Sequence, residues 1–197
     1  GIAHGEGDAE HLVGDDPRPP IEGAVGRVED GGVRPGAQRV TAVEGRHVTA
    51  YPTTKLRKLI TEQSLLKKLK EAGATPTFAN AYHPDYFRRK HTRYSVSTWA
   101  WMAAGIEYLT IDDLRQGTAV SHDITNEFMN KFGYDVPVRE PWETGQILAK
   151  MLDRYDFVFF EYILTDRCGH KQDMAGAGVR LQQIADLMTS LLQTVDL

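Results

Sequence analysis

DFVFFEYILTDRCGHKQD, Asp156 to Asp173, joins an apolar, aromatic run to a polar one within eighteen residues. Phe157, Val158, Phe159, Phe160, Tyr162, Ile163 and Leu164, interrupted only by Glu161, predict a strand buried on both faces. Asp166, His170 and Asp173 follow at once. In an open α/β sheet ligands bind beyond the carboxyl ends of the strands, so a carboxylate and an imidazole delivered there mark the candidate site.

Asp-x-x-x-His carries metal chemistry because a carboxylate oxygen and an imidazole nitrogen both suit divalent ions of the zinc or manganese type. Residues four apart can converge on one ion from a single turn of chain, and Gly169 makes such a turn easy. The bare spacing is more often a solvated loop with Asp173 as a helix N-cap, and it is the buried strand in front that raises Asp166 and His170 to metal-ligand candidates. Asp173 is a candidate to orient His170 from behind, and Cys168 reads as a packed thiol.

Working outward, helix, glycine and strand alternate. Thr53 or Thr54 caps a helix through Leu56, Leu59 and Ile60, and Ser64 starts another whose Leu65, Leu66 and Leu69 form one apolar side before Gly73 ends it. A strand follows over 77–82. Ser95 to Ala104 predicts a helix packing through Trp99, Met102 and Ala103, and Thr110 caps a brief one closed at Gly117. His122 and Asp123 precede a helix bearing Phe128, Met129 and Phe132, where the cap role suits Asp123 better than a substrate contact. Pro141 begins a helix that packs through Trp142, Ile147, Leu148, Met151 and Leu152, and Asp173 caps a last one carrying Ile184, Leu187 or Met188, Leu191 and Val195. The alternation predicts an α/β fold with a mostly parallel sheet flanked by helices.

Residues 1–40 differ in texture, holding nine of the 18 glycines and four of the nine prolines, with no aromatic residue before Tyr51. So little apolar surface predicts a disordered or loosely attached segment, and the α/β domain is expected over 41–197. The net charge of -4 excludes a general affinity for nucleic acid or an acidic membrane surface. One cysteine excludes an internal disulfide framework, and no run approaches the ~20 apolar residues of a membrane span. A cytoplasmic protein is expected.

The passage FEYILTDRCGHKQDM resembles the metal-binding segment of the alkaline phosphatase superfamily, in its phosphoglycerate mutase and phosphopentomutase branch and the metalloenzyme-domain proteins near it. The likeness continues upstream through EGRHVTAYPTTKLRKLI, SLLKKLKEAGATPTFANAYHPDYF, STWAWMAAG, TIDDLRQGTAVSHDIT and KFGYDVP, covering about residues 44–197. It implies an alkaline-phosphatase-like core, incomplete at both ends, that handles a phosphorylated small molecule with two divalent metal ions of the Mn or Zn type. Asp166 and His170 would hold one of them. The Asp-Gly pair, the Ser or Thr nucleophile and the later Asp-His pair of that family have no counterpart here, so the chain is expected to be an internal piece of the enzyme. In a phosphate-ester enzyme the cations Arg46, Arg88 and Arg89 become phosphate-binding candidates, although such clusters are more often solvated surface. The implied activity is metal-dependent phosphoryl transfer or phosphate ester hydrolysis. The alternative is a non-catalytic α/β fragment that binds a phosphorylated metabolite or a partner chain.

Overall fold

The structure, a computed structural model, describes residues 51–88 and 94–195. The segment 1–40, together with Arg46 and Arg89, lies outside the described residues. The chain is a mixed α/β protein in which local capping chemistry sets the helix ends. Helix α1 (Thr54–Gln63) begins where Thr53 accepts from the Leu56 amide, and α2 (Leu65–Glu71) where Ser64 accepts from that of Lys67. After the strands β1 (Pro76–Phe78) and β2 (Ala81–Tyr82), Ser95 caps α3 (Val96–Ala103) through the Thr98 amide. Strand β3 (Leu109–Thr110) runs into α4 (Ile111–Gln116), whose start is a capping box of Thr110 and Asp113. Then come α5 (Glu127–Lys131), α6 (Pro141–Leu152), β4 (Phe157–Phe159), α7 (Leu164–Lys171) and α8 (Met174–Thr194). Among the described residues no helix is long and apolar enough to cross a membrane.

Among the described residues all strand pairings are parallel. Pro76, Thr77 and Phe78 lie beside Phe157, Val158 and Phe159, while Ala81 and Tyr82 lie beside Leu109 and Thr110. The chain changes partner at Ala79, whose N–H donates to the Phe159 carbonyl at 2.8 Å while its own carbonyl accepts from the Val120 amide at 3.0 Å. One short segment, 76–82, therefore sews β4 to the 109–120 region. Its register against β4 is pinned twice. At the entry the Asp156 carboxylate accepts from the Thr75 amide (2.8 Å) and hydroxyl (2.6 Å), and both bonds draw its pKa down. At the exit the Asn80 side chain grips Glu161.

Packing departs from expectation wherever the apolar period was assigned to the wrong residue. β4 is three residues long and only half-buried, because no described strand covers its second edge. Trp101, not Trp99 or Met102, is the buried large apolar residue of α3, beside Ser97 and Thr98, and meets Tyr82 at 5.8 Å between rings. Leu65, Trp142 and Leu152 face solvent. α6 does bury the expected Ile147, Leu148 and Met151, and it crosses α8 at Gly145, where an added Cβ would strike the Leu187 carbonyl. That close approach lets Ser190 donate to the Trp142 carbonyl at 2.7 Å.

Candidate functional site

Beyond β4 the chain carries out a short, closely anchored turn. Asn80 is fully buried at the heart of the central segment, where its amide donates to the Glu161 carbonyl and accepts from the Glu161 N–H, each at 2.8 Å. Ser97 Oγ donates to Glu161 Oε2 at 2.9 Å, and the Ile163 N–H donates to the His122 carbonyl at 3.3 Å. Burial pushes the Glu161 carboxyl up, while the Ser97 hydroxyl works against it. α7 starts directly after these anchors. The polar motif thus lies on a helix, not on the expected turn, and Gly169 sits within it without a positive φ. The left-handed residue is Gln172 at φ 55°, which separates α7 from α8.

Helical spacing brings Asp166 and His170 together. Nε2 of His170 stands 3.4 Å from Oδ2 of Asp166, with 63 % and 74 % of the respective side chains exposed. An ion bound at about 2.0–2.1 Å to a nitrogen and an oxygen in tetrahedral geometry sets them about 3.3 Å apart, so the pair matches one edge of such a site. The same pair has a structural value, because Asp166 in the first turn and His170 in the last complement the helix dipole. Among the described residues no group of three or more His, Cys, Asp or Glu is arranged to hold a metal ion. Asp173 Oδ1 accepts from the Gly176 amide at 2.8 Å and so serves as the N-cap of α8. Cys168 is buried in the contact of α7 with its neighbours. Arg88 pairs with Asp85 at 3.3 Å on an exposed turn after β2.

A second polar group stands where the chain leaves Val120. Asp123 is buried, and its Oδ2 accepts from the Phe128 amide (2.9 Å) and the Thr125 hydroxyl (3.2 Å), the cap role expected of it. Its Oδ1 is buried without a hydrogen-bond partner. The loop that carries it is strained, with Ile124 at φ 60° and Asn126 at φ 65°. A β-branched residue in the left-handed region costs about 1–2 kcal/mol. It is held there by Thr144, which donates to the Ile124 carbonyl at 2.6 Å, and by Ser121, which accepts from the Asn126 amide. The His122 ring is packed against Phe78 and Tyr82, and burial pushes its pKa down to about 4 despite the Asp123 carboxylate beside it.

Sequence reasoning passed over Asn80, Ser97 and Glu161. The available signal was an asparagine inside the apolar TFANAY, since a buried amide in a strand must spend its hydrogen bonds on something specific. No protein-family model, no curated protein and no solved structure matches the chain.

Proposed function

We propose that the chain carries part of a metal-dependent phosphoryl-transfer or phosphate ester hydrolysis centre, with an alkaline-phosphatase-like core and with Asp166 and His170 as two ligands of one divalent ion. The observation that supports this reading is the 3.4 Å approach of His170 Nε2 to Asp166 Oδ2 on the helix that follows the parallel strand β4. A divalent ion there would supply Lewis-acid stabilisation of charge on phosphoryl oxygens. The chain's own contribution is positional. Asn80 fixes the backbone at Glu161, three residues ahead of α7, and the helix then sets the carboxylate and the imidazole on one exposed face. The exposure of both side chains favours, as a second reading, a non-catalytic module that binds a phosphorylated metabolite or a partner chain.

Calorimetric titration of the metal-free protein with Mn²⁺ and Zn²⁺ tests the first reading. Saturable binding is expected in the wild type and is lost in Asp166→Ala and in His170→Ala. Wild-type binding no tighter than that of the variants would overturn it and leave the second.

A further inference from the structure

α8 runs for 21 residues yet buries only Leu187 and Ser190. That face meets α6 at Gly145 and the Trp142 carbonyl. The face turned away from α6 is apolar too. Met174, Leu181 and Met188 recur every seven residues, with Ala177 and Ile184 three further on, the spacing of a helix–helix seam, and Val195 follows directly after the helix, while Leu191 packs on the core side beside α6. Ala185 and Leu192 widen it. Met174 is 82 % exposed, Leu181 60 %, Leu192 57 % and Met188 44 %. No Lys, Arg, Asp or Glu lies within this stripe, which Gln182, Thr189 and Gln193 border on one side and Arg180 on the other.

We infer that a second copy of this chain covers the seam, its α8 packed antiparallel against the first about a two-fold axis. The stripe can pair with itself, apolar residue against apolar residue. When two copies run antiparallel with the axis between Ile184 and Ala185, each layer holds one residue from each helix. Met174 shares a layer with Val195, Ala177 with Leu192, Leu181 with Met188, and Ile184 with Ala185. Small residues thus meet large ones in two of the four layers, as close packing requires. In a two-fold interface each such contact occurs twice. A seam of 21 residues is about 30 Å long and buries on the order of 1,000 Å² in total, the lower limit of specific interfaces. The dimer is therefore weak and concentration-dependent.

Sedimentation equilibrium of the full chain over a hundredfold concentration range tests the association. A monomer–dimer equilibrium is expected, with its dissociation constant raised at least about tenfold by Leu181→Glu, which buries an unpaired charge at the seam, and unchanged by Val179→Glu on the opposite side. The antiparallel register is read by cysteine cross-linking in a Cys168→Ser background. An equimolar mixture of Leu181→Cys and Met188→Cys proteins should form the mixed disulfide, whereas Leu181→Cys alone should not, since its two copies stand about 10 Å apart along the axis. A monomer at every concentration overturns the inference, as does association insensitive to Leu181→Glu. Cross-linking of Leu181→Cys with itself as fast as in the mixture overturns it equally. These measurements need no metal and do not depend on the reading of Asp166 and His170.

Discussion

Asn80 holds both the amide and the carbonyl of Glu161, 81 residues further along the chain, through two 2.8 Å hydrogen bonds. A side-chain amide that satisfies both backbone groups of one residue takes the place of a further step of the β ladder and ends the pairing of β1 with β4 where the chain must turn away.

Asn80→Ala removes both bonds and strands two backbone groups in a part-buried position. A loss of about 2–4 kcal/mol is expected, because an orphaned buried group costs more than a hydrogen bond contributes. Urea unfolding monitored by circular dichroism measures it. A change below about 0.5 kcal/mol, the usual size for an uninvolved surface site, would mean that water takes over both groups.

Two glycines should respond to alanine in opposite directions. At Gly145 the new methyl meets the Leu187 carbonyl and stands 3.0 Å from the Leu191 amide, so α6 and α8 must separate. A cost of about 2 kcal/mol or more is expected for forcing a packed interface apart. At Gly169 nothing lies within 4 Å of the added carbon. There alanine should stabilise α7 by about 0.5–1 kcal/mol through propensity alone. Paired thermal melts of the two variants read the contrast directly.

His122 ties stability to pH. Its folded pKa, about 4, lies below the ordinary histidine value of 6.5, so between those limits the unfolded chain binds a proton that the folded chain refuses. Stability from this residue is present above pH 6.5 and is lost as pH falls towards 4, by on the order of 3 kcal/mol over the whole window. Glu161 acts in the opposite sense. Its carboxyl is pushed up, so the folded chain keeps a proton that the unfolded chain releases, and stability falls as pH rises through the start of the same window. Urea titrations at several pH values on the wild type and on His122→Gln separate the two. The histidine part is the difference between the curves, and a difference independent of pH would refute the assignment.

How much was legible follows from how local each determinant is. The helix starts at Thr53, Ser64, Thr110 and Asp173 were readable because a hydroxyl or carboxylate acts on amides two or three residues away. The α/β alternation followed from them. α7 was not legible, since LTDRCGHK has only Leu164 and Cys168 on a buried side and carries a glycine, so tertiary docking decides its helicity. β4 was overestimated because Phe160, Tyr162 and Ile163 satisfy the apolar pattern while Asn80 ends the ladder from another part of the chain. Asp166 and His170 were legible as a pair, but their exposure was not, because burial of a helix face depends on what lies above it.

The partner of β1 stands 81 positions later in the chain, and between them come the β2–β3 pair and helices α3 to α6. Contacts this distant in sequence form late, since a long loop must close before they stabilise anything. In synthesis from the N-terminus, Pro76–Phe78 waits without its strand partner until Phe157–Phe159 has been made. The helices between can form meanwhile, and the apolar run 76–82 is the part of the nascent chain most in need of shielding from its neighbours.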